Sequence, residues 1–191
     1  MSKSGDMMTL EGQFLIAMPA MGDDRFAHSV VFICAHSDEG AMGLVVNKLA
    51  QDITFPDLLG QLEIASTDDN AIKLPVYAGG PVEPGRGFVL HSPDYHHDST
   101  TVLHPAISLT ATLDVLRAIA NGEGPHNHLV ALGYAGWGPG QLESEMATNG
   151  WLNCDADPEM MFKHDGDDAW RSALGTLGID PTSLVSDAGH A

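Results

Sequence analysis

Two apolar runs rich in β-branched residues, SVVFICA (29–35) and AMGLVVN (41–47), flank the polar stretch HSDEG, whose residues have turn chemistry. This predicts a β-hairpin whose strands are largely buried. In FPDLLGQL (55–62), Pro56 lies near the start and leucines recur at helical spacing, which predicts a short helix. IASTDDNA (64–71) reads as a flexible loop, and LPVYAGGPVEPGRGFVLH (74–91) as a strand, a Gly-Gly-Pro turn and a strand. The stretch 92–106 reads as a loop. SLTATLDVLRAIANG (108–122) reads as an amphipathic helix, with Leu109, Leu113, Leu116 and Ile119 on one stripe and Gly122 as its stop.

HLVALGY (128–134) predicts another strand, which leads into a glycine-rich loop and a helix after Pro139. Two more helices follow, one in DDAWRSALGTL (167–177) with Trp170, Leu174 and Leu177 aligned, and a brief one in DPTSL (180–184) capped by Asp180. No repeat, coiled coil or linker interrupts the chain. The expectation is one compact mixed domain over 1–191, with residues 1–9 flexible.

Charge narrows the choice of partners. The 191 residues carry 26 Asp plus Glu against 8 Lys plus Arg, a formal net charge of −18. The cations, from Lys3 and Arg25 to Lys163 and Arg171, are scattered, so no local cluster offers the electrostatic grip on phosphates that nucleic-acid binding requires. Two cysteines make no disulfide framework, and Cys34 reads as a core thiol. FLIAMPAM (14–21) is preceded by Glu11 and broken by Pro19, which fits neither a signal peptide nor a membrane span. The sequence therefore predicts a cytoplasmic protein with no membrane association.

The candidate chemistry centres on ALGYAGWGPGQLESEMATNGW (131–151). Gly136, Gly138 and Gly140 lie between a strand and a helix, but Gln141 stands where a dinucleotide fingerprint needs glycine, and no Gly-Lys-Ser/Thr follows. Glu143 and Glu145 in the first turns would repel a phosphate. On that helix Leu142 and Met146 define the buried side, with Glu145 and Asn149 beside them. Polar groups there either form a core hydrogen-bond network or line a pocket, and the sequence leaves both open. In the pocket version Trp137 is the wall and the helix face bearing Gln141, Glu145 and Asn149 is the lining, next to the Gly79-Gly80-Pro81 turn.

Ten histidines raise the question of a metal, yet DYHHD (94–98) and HNH (126–128) lie in expected loops and match no zinc or calcium pattern, so neither metal nor cofactor is expected. His36 and His91 end apolar strands and could act as acid or base, or simply cap those strand ends. No serine or cysteine sits in a nucleophile motif.

Several segments together resemble the AlgH/YqgE family of bacterial cytosolic proteins: LEGQFLIAMPAM (10–21), FAHSVVFICAHSDEGAMGLVVNK (26–48), VYAGGPVEPGRGFVLH (76–91), LGYAGWGPGQLESEM (132–146) and the GHA ending. The resemblance implies an α+β fold in which a bifurcated, mostly antiparallel sheet, part of it closing into a small barrel, is flanked by helices. It also implies a transcriptional-regulator label drawn from an association with alginate control. Positions that match the motifs include His36, Gly40, Gly43, Asn47, Gly79, Gly80, Pro81, His91, Gly136, Trp137, Gln141, Glu143 and Glu145. Leu49 departs, standing where the family often has proline.

The leading expectation is a regulatory or accessory protein that binds a small molecule or a protein partner. Its candidate residues are His36, Asn47, Gly79, Gly80, Pro81, His91, Gly136, Trp137, Gln141, Glu145 and Asn149. The alternative is an enzyme with Glu145 and either His36 or His91 as acid and base. Direct DNA binding is disfavoured by the charge.

Overall fold

Strands with continuous apolar runs must bury both faces. The computed structural model, which describes residues 9–19, 23–68, 73–148, 150–163 and 166–180, shows where each face goes. In β1 (Gln13–Ala17), Phe14 and Ile16 join one apolar cluster while Leu15 and Ala17 join another. In β2 (Val30–Ser37), Val30, Phe32 and Cys34 face the first cluster, and Val31 and Ile33 the second.

The remaining elements are β3 (Gly40–Val45), α1 (Phe55–Gln61), β4 (Val76–Ala78), β5 (Val82–His91), β6 (Thr101–His104), β7 (Ile107–Thr110), α2 (Leu113–Ala120), β8 (His128–Trp137), α3 (Gln141–Ala147), β9 (Trp151–Asp155), α4 (Pro158–Lys163) and α5 (Gly166–Thr176). The strands form one sheet in the order β6-β7-β5-β8-β3-β2-β1-β9, with β4 also paired to β8.

The sheet forks at β8. Its first half pairs with β5 on one edge and, in parallel, with β4 on the other; its last three residues pair with β3. After β3 the chain runs back along β4, with Ala50 N–H donating to the Val76 carbonyl and Ala78 N–H to the Lys48 carbonyl, each at 2.8 Å. β4 is thus a wedge in the fork, and β4–β8 is the one parallel pairing among the named strands. The sheet curls into a half-barrel. The Leu103 carbonyl of β6 comes against Gly12, just ahead of β1, where a side chain would collide.

The concave face holds the largest apolar cluster, covered by Met160 and Met161 of α4 and by Trp170 and Leu174 of α5. α1 and α2 bury Phe55, Leu58, Leu116 and Ile119 against Val76, Val89 and Val130 on the outer side of one half. α3 lays Leu142 on the outer side of the other half, beside Trp137 and Trp151. α1 begins where Pro56 predicts, and the structure adds a reciprocal capping box between Thr54 and Asp57.

Four readings need correction. The stretch 92–106, expected as loop, ends in β6. The helix expected from residue 108 starts only at Leu113, because Ser108 and Thr110 are buried with strand alternation in β7. Leu113 is exposed, and the buried stripe of α2 is Val115, Leu116, Ile119 and Ala120. β8 runs through Gly136 to Trp137, held by its pairing with β3, where a loop was expected. β1, β9 and α4 are elements that the sequence pattern does not announce. The flexibility expected for residues 1–9 falls, apart from Thr9, outside the described residues; so do 69–71 of the expected loop and, beyond Asp180, the last expected helix.

Candidate functional site

The end of β8 gathers much of the motif chemistry. Ala41 of β3 pairs with Trp137 on one side and with His36 of β2 on the other, which brings residues about 100 positions apart to one place. Trp137 is 6% exposed. Its ring stacks on Phe26 at 6.5 Å and meets Trp151 edge-on at 6.0 Å. The turn into α3 follows at once: Gly138 N–H donates to Gln141 Oε1 at 3.0 Å, and Gly140 takes a left-handed φ of 72°. Gly136, by contrast, lies in regular strand. Gly79 and Gly80 lie flush on the β8 backbone at Leu132–Ala135, so the Gly-Gly-Pro turn with Pro81 sits alongside the same strand.

His36 makes the most specific contact. Its Nδ1 accepts the Leu10 N–H at 3.0 Å, so the ring proton resides on Nε2, which donates to Glu143 Oε1 at 2.6 Å. The His36 side chain is 4% exposed and the Glu143 side chain 46%. This hydrogen bond holds the Glu143 carboxyl below the usual range of a glutamate. Glu145 is half-buried, and its Oε2 is withdrawn from solvent without a hydrogen-bond partner among the described residues. Asn149 lies outside the described residues. Helical spacing alone points Glu143 away from the apolar stripe of Leu142 and Met146, so the sequence gives no sign of this contact.

Two of the chosen residues lie apart from this group. Asn47 is buried and bridges backbone: Oδ1 accepts Val30 N–H at 2.9 Å and Nδ2 donates to the His28 carbonyl at 2.8 Å. His91 pairs across the sheet with His128, nine residues along β8 from Trp137 and therefore about 30 Å away. Its Nδ1 donates to the Ser92 carbonyl at 2.8 Å and its Nε2 accepts from Thr110 Oγ1 at 2.7 Å, so both ring nitrogens are engaged. The pairing of Glu145 with either histidine as acid and base finds no geometric support: His36 gives its proton to Glu143, and His91 is at the other end of the strand. Among the described residues no group of three or more His, Cys, Asp or Glu is placed to hold a metal ion. No helix among them is long and apolar enough to cross a membrane.

Burial lowers the pKa of both His91 and His128. A histidine whose folded pKa is depressed leaves stability untouched above its unfolded value of about 6.5, and subtracts from it as pH falls below that, because the unfolded chain takes up the proton first. Urea midpoints are therefore expected to be flat from about pH 8 to 7 and to fall between about 6.5 and 5. His91→Gln should flatten this fall, and a midpoint that rises on acidification would refute the assignment.

Comparison with known proteins agrees with this architecture. Residues 14–182 match the family described as AlgH-like, DUF179. A UPF0301 protein of Methylobacterium sp. (strain 4-46) is 56% identical over 190 residues, covering 95% of this chain and 90% of its own. One from Rhizobium meliloti is 53% identical over 189 residues, covering 95% and 93%. The solution structure of the AlgH protein from Pseudomonas aeruginosa superposes with a TM-score of 0.79 at 40% identity, over 100% of both chains. A crystal structure from Corynebacterium diphtheriae shares the fold, with a TM-score of 0.68 at 21% identity over 87% and 86%. The chain belongs to the AlgH-like family.

Proposed function

We propose that this is a cytoplasmic, single-domain regulatory or accessory protein that works by binding, through the end of β8 and the exposed face of α3. The observation that carries this reading is the His36–Glu143 hydrogen bond. A nearly buried histidine fixes a half-exposed carboxylate in its ionised form and in one orientation, leaving its second oxygen for a partner. Gln141 and Glu145 flank it, with Trp137 as the wall behind and the Gly79-Gly80-Pro81 turn along the same strand. A preset anionic acceptor suits a small molecule bearing an amine, or a protein partner bearing a basic side chain. With a net charge of −18, any effect on transcription would be indirect. A sequence-selective, salt-sensitive gel shift by the isolated protein would overturn that part.

The test is capture of metabolites and proteins from a lysate by the wild type and by Glu143→Gln, which retains size and a hydrogen bond but not charge. The retained partner is expected to bind the variant at least about tenfold more weakly, as for a charge-assisted contact, with thermal melting unchanged to within a few degrees. Equal capture by both proteins would place the binding face elsewhere.

A further inference from the structure

At the far end of β8, about 30 Å from Trp137, His128 stands between two hollows. One, of about 170 Å³, lies against α2 and is lined by Asp68, Leu74, Ile119 and Pro125 as well as His128. The other, also about 170 Å³, lies against α4, with Tyr77, Met161, Phe162 and Lys163 among its walls. Leu74 and His128 line both, so together they form the ridge between the hollows. A dry cavity of about 150 Å³ admits a benzene ring, so each hollow is the size of one ring.

The ridge has a defined polarity. His128 Nδ1 faces the Pro125 carbonyl at 3.3 Å. A carbonyl only accepts, so Nδ1 carries the proton and Nε2, on the opposite edge of the ring, is a bare acceptor. No hydrogen bond to Nε2 is formed by the described residues. Burial lowers the pKa of this imidazole, so the neutral form, which keeps the acceptor, prevails at neutral pH. The first hollow is otherwise largely apolar, with Asp68 in its wall, while the second sets Tyr77, Met161 and Phe162 beside Lys163 and is the more polar of the two.

We propose that the two hollows are the halves of one binding site, which takes an uncharged molecule of two ring-sized aromatic lobes, one packed on the apolar walls against α2 and one on Tyr77, Met161, Phe162 and Lys163, joined by a short link bearing an N–H donor to His128. Each lobe fills one hollow, and the donor meets Nε2 at the ridge. The site is separate from the α3 face, and neither reading depends on the other.

An isosteric pair of probes tests this without any mutation. Benzanilide joins two phenyl rings through an amide N–H, and phenyl benzoate replaces that N–H by an ester oxygen. Each is titrated into the isotope-labelled full-length protein by NMR. Benzanilide is expected to shift the His128 Nε2 resonance and amides on both sides of the ridge, at Ile119 and at Phe162, and to bind about 3- to 10-fold more tightly than the ester, the range of one net hydrogen bond. In His128→Leu, provided it still melts cooperatively, the two probes should bind alike. Equal affinities in the wild type, shifts confined to one side of the ridge, or no binding of benzanilide up to its solubility limit would each overturn the proposal. The isostere comparison needs no variant, so it decides the matter even if His128→Leu fails to fold.

Discussion

Trp137→Ala is expected to lower stability by about 3 to 5 kcal/mol, the range for removing a large aromatic side chain from a core. The indole is 6% exposed and sits in the apolar layer beneath α3 with Leu15, Val31, Ala135, Leu142 and Trp151. Its neighbours cannot easily collapse into the gap. Phe26 is held by its own edge contact with Trp151 at 5.7 Å, and Leu142 is fixed on α3 by the turn at Gly138–Gly140. Glu145→Gln, a few residues away, should change stability by less than about 1 kcal/mol, because it keeps the side-chain volume and adds a donor without opening a cavity. Urea denaturation of both variants, with m-values checked for two-state behaviour, measures the contrast. If Glu145→Gln destabilises as much as Trp137→Ala, Glu145 is a structural carboxylate and drops out of the proposed binding face. If Trp137→Ala costs almost nothing, the aromatic layer is looser than its packing implies.

What the sequence revealed, and what it hid, follows from which forces act locally. The β2–β3 hairpin is legible because its runs are apolar and β-branched around a polar turn, and α1 because Pro56 stands near its start and its leucines recur at helical spacing. β9 is not: WLNCD has little pattern of its own, and its five paired positions depend on β1 lying beside it. In SLTATLDVL the leucines at 109, 113 and 116 mimic helical spacing, while tertiary burial of Ser108 and Thr110 selects a strand. Propensity is a weak prior where a sheet edge is available.

The His36–Glu143 contact was hidden for a more specific reason. Simple alternation along β2 would put His36 on the same face as Phe32 and Cys34, towards the half-barrel interior. The register shifts between Ile33 and Ala35, where a β-bulge inserts one residue. One extra residue exchanges the faces beyond it, and so turns His36 outward to α3. Nothing within a few residues of either partner announces a contact across 107 positions. His128 was hidden in the opposite way. It begins the expected strand HLVALGY and is indeed the first residue of β8, but within HNH a histidine suggests only a metal ligand, and nothing in the sequence marks the hollows on either side of it.

Asn47→Leu is expected to cost about 2 to 4 kcal/mol, from two backbone groups that each lose a partner at about 1 to 3 kcal/mol. Asn47 is 4% exposed and was chosen from its motif as a binding residue, but its amide bridges the Val30 N–H and the His28 carbonyl at the entry to β2. That entry is a demanding piece of backbone. His28 adopts a φ of 59°, unusual for a residue other than glycine, and its ring stacks on Trp170 at 4.0 Å. Trp170 in turn donates its indole N–H to the Ala17 carbonyl at 2.8 Å, which ties α5 to β1. Leucine matches the shape of asparagine and leaves both backbone groups buried, so the loss is one of hydrogen bonding and not of volume. The urea midpoint should fall accordingly, and the near-ultraviolet circular dichroism of Trp170 should change as the His28 stack loosens. A change below about 1 kcal/mol with an unaltered Trp170 signal would mean that water replaces the amide without strain, and the motif asparagine would then need a role outside the fold.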